Sequence, residues 1–155
     1  MEHRERTFLM IKPDGVLRGL VGDIIKRIEA KGLKIAGMKL VWVNKNLAEK
    51  HYNEHKGQPY YELLVNYVSS APSVAMVLEG RKAIEVVRRL VGATDPANAE
   101  PGTMRGDLAI ERRTVIFNLV HASDSPKSAA REISIFFDDN DIHSYDLPTE
   151  SIYRI

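Results

Sequence analysis

The sequence predicts an α/β fold, an α+β sandwich in which helices pack on a mainly antiparallel four-stranded sheet. Three observations predict it. Short runs rich in Ile, Val and Leu recur along the chain at strand length. Between them lie segments with apolar residues at the i, i+3, i+4 spacing of a helix face. Gly and Pro mark the boundaries, and no internal repeat, linker or low-complexity stretch interrupts the 155 residues, which read as one domain, 1–155.

Taken in order, Thr7–Ile11 is a short apolar run fed by charged residues and reads as a buried strand. Lys12-Pro13-Asp14-Gly15 stops it as a turn, because Pro lacks a ladder donor and Asp-Gly favours turns. Val21, Ile24, Ile25 and Ile28 then form one helical face, closed by Lys31-Gly32. Leu33–Val43 reads as a second strand. Asn46–Glu54 and Tyr60–Tyr67 form a helical hairpin broken by Gly57-Gln58-Pro59. Ser73–Leu78 is a third strand, and Ala83–Val91 carries Ile84, Val87 and Leu90 at helical spacing. Gly92–Arg105, with two prolines, two glycines and little apolar content, reads as a long loop of the kind that carries function. Thr114–Val120 is the expected fourth strand. Ser125-Pro126 opens a last helix, with Ser as cap and Pro at the first position, and Ala129, Ile133, Phe136 and Phe137 supply its apolar face. The tail after Asp138 is polar and irregular. Without the hairpin and the C-terminal helix, the order is βαββαβ, a ferredoxin-like signature with helices on one sheet face.

Composition narrows the chemistry. Lys and Arg total 22 against 21 Asp and Glu, a net charge of +1. Nucleic-acid binding as the main task would call for a basic excess. A small anionic ligand needs only a few convergent cations. With no cysteine, disulfides, thiolate catalysis and Cys-based zinc sites are excluded, and the expected setting is cytoplasmic. The MEHRERTF start has no apolar h-region, and no run approaches the ~18–20 apolar residues of a membrane span.

No G-x-x-x-x-G-K-[ST] loop is present, and the glycines of Gly15–Gly22 lack the G-x-G-x-x-G spacing. A phosphate site would therefore be built from side chains. His121 is the most informative candidate. It follows the run VIFNLV and precedes the helix entry ASDSP. A nearby helix N-terminus favours phosphate and disfavours imidazolium, so the ring would stay neutral and nucleophilic. Spacing alone favours a structural histidine over a catalytic one. His51 and His55, at i, i+4, read as a solvated helix face with no third metal ligand in view. His3 and His143 read as exposed. Lys12, Arg88, Thr94 and Arg105 lie at element ends or in the long loop, where they could converge on a triphosphate or remain ordinary surface charge.

The segments ERTFLMIKPDGVLRGLVGDIIKRIEAKG, HYNEHKGQPYY, PGTMRGD, NLVHASDS and SAAREI together resemble the nucleoside diphosphate kinase family over nearly the whole chain. NLVHASDS is similar to that family's active-site motif N-[IV]-[IV]-H-[GA]-S-D-S. The resemblance implies a ping-pong transfer of the γ-phosphate of a nucleoside triphosphate to a nucleoside diphosphate, with a phosphohistidine on His121. It implies that Glu132 holds the other ring nitrogen, that Ser123 supports Glu132, and that Tyr52 lies near the histidine. Lys12, Arg88, Thr94, Arg105 and Asn118 match the family's phosphate and sugar ligands. Tyr60 and Leu64 fall where the base would stack and pack. Mg²⁺ would arrive with the nucleotide and need no protein metal cage. A homo-oligomer, a hexamer built as a trimer of dimers, is the implied assembly. ERRTVIF, between Ile110 and Asn118, is longer than the family's usual segment there, and Ala122 replaces its commoner Gly. Two other readings predict features that are missing. An RNA-binding sheet would carry an exposed aromatic RNP pattern, and an inactive scaffold would lack His121, Lys12 or Arg105.

Overall fold

Strand β1, Glu5–Ile11, is buried from Thr7 onward on both of its faces, which is why it reads as an unbroken apolar run rather than an alternating one. The computed structural model describes residues 4–111 and 114–152, so His3 lies outside the described residues. Four strands form one sheet in the order β2-β3-β1-β4, with β2 at Lys34–Val41, β3 at Ser73–Gly80 and β4 at Val120–Ala122. All three pairings are antiparallel. The order and direction are those of the expected ferredoxin-like sheet.

Side-chain alternation along β1 divides the core in two. Leu9 and Ile11 join Met76, Leu78, Ile24, Ile28 and Val87 on the face covered by α2 (Val21–Ala30) and α5 (Ala83–Val91). Phe8 and Met10 join Ala75, Val77, Ala48, Val65 and Phe136 on the other. That second face is covered by α3 (Lys45–His51), α4 (Tyr61–Val68) and α7 (Pro126–Phe136). The helical hairpin and the last helix therefore close the face that a bare βαββαβ unit would leave open. Burying each such Leu, Ile or Phe contributes roughly 1.5–3 kcal/mol. No helix among the described residues is long and apolar enough to cross a membrane.

Three local expectations are corrected. Lys12–Gly15 does not simply turn: Pro13 starts a short helix, α1 (Pro13–Leu17), a position where its missing N–H costs nothing. Gly92–Arg105 is not loop throughout, since it contains a 3₁₀ turn at Pro96–Asn98 and runs into α6 (Met104–Leu108), capped by the Thr103 side chain. Thr114–Val120 is not a strand until its last residue. Ile116, Leu119 and Val120 are buried, which explains the apolar pattern. However, Leu119 has φ +75°, and the carbonyls of Ile116 and Asn118 accept from Lys12 Nζ and Arg105 Nε instead of from a neighbouring strand.

Candidate active site

His121 sits in the middle of β4, opposite Met10 on β1. Strand alternation sends Val120 and Ala122 to the α2/α5 side and places the imidazole on the α3/α7 side, tilted against Phe8 at 6.2 Å between ring centres. Helix α7 delivers its partner. Ser125 caps that helix by accepting from Ser128 N at 3.1 Å. Its buried stripe is Ser128, Ala129, Glu132 and Phe136, so a carboxylate occupies a core-facing position. Burying a carboxylate is costly unless it is bonded. Glu132 Oε2 is 2.6 Å from His121 Nε2 and accepts from Ser123 Oγ at 3.0 Å, while Arg131 lies 3.8 Å from Oε1. With the carboxylate accepting at Nε2, that nitrogen carries the ring proton and Nδ1 keeps its lone pair. The His121 side chain is 25% exposed, against 4% for Glu132, so the pair is firmly backed and open on one side.

The open side faces a cavity of about 480 Å³. Lys12, Tyr52, Tyr60, Leu64, Arg88, Thr94, Arg105, Asn118 and His121 all line it, while Glu132 and Ser123 stand behind His121. Every expected site residue is thus brought to one place. Among the described residues the wall includes three cations, Lys12, Arg88 and Arg105, and no carboxylate. Lys12 follows directly on β1; its Nζ donates to Ile116 O and Asn118 Oδ1, both at 2.7 Å. Burial, and then the Arg105 charge, push the Lys12 ammonium down to about 7 against an opposing pull from Asp14. Arg105 is buried too, donating to Asn118 O (3.1 Å), Gly92 O (3.0 Å) and Val120 O (2.6 Å). Its guanidinium is lowered to about 10, by burial first and Arg88 second. Asn118 Nδ2 donates to Thr94 O at 2.8 Å, which ties the long loop to the floor. Thr114, Val115 and Ile116 form one wall, so the lengthened segment takes part in the cavity and leaves Asn118 in it.

At the cavity mouth Tyr60 is half-exposed, its hydroxyl 2.9 Å from His55 Nδ1. Tyr52 is buried beside His121, with 6.5 Å between ring centres. Its hydroxyl makes no hydrogen bond among the described residues, and burial pushes it well above the usual tyrosine range, so it remains a neutral donor.

Sequence reasoning missed three contributors. Asp14 accepts from Leu119 N at 3.1 Å and from the Tyr67 hydroxyl, holding the positive-φ residue just before β4. Leu119 O in turn accepts from Lys12 N at 2.9 Å. His51 is the largest correction. It is not on a solvated face but 3% exposed, with its ring 4.6 Å from that of His121 and packed also on Phe8, Tyr52 and Phe136. His55 does not share its helix and lies in a 3₁₀ turn, Asn53–His55. Burial, then His121, holds the His51 imidazole well below its ordinary value. The available signal was Ala48, His51 and Tyr52 at i, i+3, i+4, a core stripe that includes the histidine.

Comparison with known proteins agrees with this geometry. The family model described as nucleoside diphosphate kinase matches residues 5–142. The nucleoside diphosphate kinase of Pyrococcus furiosus is 54% identical over 154 residues, covering 99% of this chain and 96% of that protein. The halophilic nucleoside diphosphate kinase of Halobacterium salinarum, solved in complex with CDP, superposes with a TM-score of 0.92 at 45% identity, covering 97% of this chain and 98% of that one. The nucleoside-diphosphate kinase of Borrelia burgdorferi, solved as a transition state mimic with bound vanadate and ADP, gives 0.91 at 38% identity, with 96% of each chain covered. The chain belongs to the nucleoside diphosphate kinase family and carries its activity, transfer of the terminal phosphoryl group of a nucleoside triphosphate to a nucleoside diphosphate through a phosphohistidine.

Proposed function

We propose that His121 is the residue phosphorylated in this cycle, with the remaining cavity residues as its phosphate cradle and base clamp. The observation that carries the reading is the 2.6 Å His121–Glu132 contact at the edge of a cavity walled by Lys12, Arg88 and Arg105. In the first half-reaction, Nδ1 attacks the γ-phosphorus as its bond to the β–γ bridging oxygen breaks. The diphosphate leaves with that electron pair. Glu132 offsets the positive charge that develops on the phosphorylated ring, and Ser123 keeps Glu132 in place. In the second half, a terminal oxygen of the entering diphosphate attacks phosphorus and the P–N bond breaks.

Lys12 and Arg105 stabilise the charge on the transferred group, and Arg88 and Thr94 hold the neighbouring phosphates. Tyr52, a neutral donor facing the cavity, serves the same group. Asn118 meets the sugar, and Tyr60 with Leu64 clamps the base, a mode that tolerates any base. The CDP, ADP and vanadate held by the two solved relatives support a nucleotide in the equivalent cavity. A wall that among the described residues holds cations, hydroxyls and amides without a carboxylate fits Mg²⁺ entering on the phosphates and water rather than in a protein cage. When bound it neutralises phosphate charge.

The test is incubation with γ-labelled ATP. The expected label is acid-labile and base-stable and passes to an added diphosphate; His121→Ala abolishes both. Acid-stable label, or turnover persisting in His121→Ala, would refute the assignment.

Residues 1–155 are read as one domain, with the cytoplasm as its setting. A hexamer, a trimer of dimers, is the favoured assembly. The edge strand β2 and the residue after it leave Met38, Leu40 and Trp42 exposed at alternate positions, which supports a copy packing there.

A further inference from the structure

We propose that His51, His121 and Glu132 form a binding site for a zinc-like divalent transition ion on the unphosphorylated protein, and that filling it silences His121. One ligand atom from each residue lies within 4.8 Å of the other two. Two imidazoles and one carboxylate, with a fourth position left to water, is a donor set zinc accepts. Independently, both ring nitrogens of His51 are buried and have no hydrogen-bond partner among the described residues. A buried imidazole normally finds a partner for its N–H and its lone pair. His51 instead points an unused donor set at two other ligands, and the phosphoryl cycle gives it no task.

The geometry needs little change. Tetrahedral donors around zinc stand about 3.4 Å apart, given bond lengths of about 2.0–2.1 Å. The His121–Glu132 contact of 2.6 Å must open by less than about 1 Å, and the His51 ring, its ligand atom within 4.8 Å of the others, must close by at most about 1.4 Å. The outer contacts that orient the ligands already exist, since Ser123 donates to Glu132. Lys12 and Arg131 are the cations facing the cluster and weaken its hold on a divalent ion.

The consequence for His121 follows from its tautomer. Metal ligation at Nε2 takes that lone pair, so the ring proton moves to Nδ1. No proton is lost to solvent and no bond is made to phosphorus. The nitrogen facing the nucleotide then carries hydrogen rather than a lone pair. This consequence rests on His121 being the phosphorylated residue; the binding does not.

The experiment is a calorimetric titration of ZnCl₂ into the full chain, free of nucleotide and Mg²⁺. One saturable equivalent per chain is expected, weakened at least tenfold by His51→Gln and by Glu132→Gln and unchanged by the exposed-site control His143→Gln. Cobalt(II) on the unaltered chain should give the visible absorption of a four- or five-coordinate ion, a reading that does not depend on the variants folding. Prior phosphorylation, which leaves Nε2 as an N–H, should abolish the zinc equivalent. Unchanged affinity in a well-folded His51→Gln, no stoichiometric equivalent, a pale six-coordinate cobalt spectrum, or zinc bound equally by the phosphorylated chain would each overturn the proposal. Failure of the chain to accept label from ATP, with the zinc equivalent intact, would instead overturn the role of His121 and leave the metal site standing.

Discussion

Binding of a nucleoside diphosphate should draw a proton onto Lys12. In the free protein its ammonium is lowered from an ordinary value of 10.5 to about 7, by burial and then by Arg105. At pH 8 about nine-tenths of the Lys12 amines are therefore neutral, and at pH 6 about one-tenth. A phosphate against Nζ supplies the counter-charge that burial withholds, so the bound form is fully protonated. The share of the uptake due to Lys12 is close to 0.9 proton per nucleotide at pH 8 and close to 0.1 at pH 6. Above pH 7 affinity should fall toward tenfold per pH unit. Phosphate ionisation contributes little at pH 8, because a terminal phosphate with a second pKa near ~6 is already deprotonated. The assay is calorimetry at each pH in two buffers of different ionisation enthalpy, whose heats give the protons exchanged. Stability has a definite sign as well. Between about 7 and 10.5 the unfolded chain holds the Lys12 proton more tightly than the fold does, so this group makes the nucleotide-free protein more stable as pH rises, by at most about 1.4 kcal/mol per unit. Zero proton uptake at pH 8, or the same uptake in Lys12→Met, would refute the reasoning.

Three other outcomes are expected. Glu132→Gln keeps a hydrogen-bonding shape behind His121 but loses the charge, so turnover should fall roughly 10–100-fold with nucleotide affinity nearly unchanged; equal loss of both by stopped-flow and calorimetry would make its role structural. Gly92→Ala should lower the unfolding free energy by about 2 kcal/mol or more, because Gly92 has φ +87° and a Cβ there would sit 2.5 Å from Thr103 Oγ1; an unchanged melting curve would contradict this. Light scattering on the purified chain should return the mass of six copies, and a monomer would leave the exposed β2 face without its occupant.

What was legible in the sequence is what local periodicity encodes. Ile24 and Ile28, Val87 and Val91, and the Ser125 cap each announce their element through spacing that the backbone itself imposes. Apolarity, however, reports burial and not ladder pairing. Thr114–Val120 is apolar because Ile116, Leu119 and Val120 are buried, and nothing in the side chains says that Asp14 takes the Leu119 amide or that Lys12 takes the Ile116 carbonyl. The residue types of the site stood out only through a matching motif. Their convergence did not, because Lys12 and Arg105 meet through the β1–β4 pairing and a turned backbone, with no shared period. His51 was missed for the opposite reason: polarity was read as exposure, although its helix spacing placed it with Ala48 and Tyr52 in the core.

The irregular backbone before β4 is also what gives the cavity its charge. Had residues 114–120 formed a regular strand, their carbonyls would have been spent on a ladder, and Lys12 and Arg105 would have lacked acceptors deep enough to hold them. The turn at Leu119, fixed by Asp14 and Lys12 N, instead presents the carbonyls of Ile116, Asn118 and Val120 to these two side chains. Carbonyl dipoles can hold cations in place without neutralising them as a carboxylate would. Lys12 and Arg105 thus remain desolvated and still in need of negative charge, and each is lowered by burial first and then by a neighbouring cation, Arg105 for Lys12 and Arg88 for Arg105. In the proposed cradle a phosphate would relieve this repulsion on arrival, and the developing charge of a transferred phosphoryl group would relieve it further. The positive-φ residue beside His121, costing about 1–3 kcal/mol in backbone strain, is offset by these bonds and by the burial of Leu119 itself.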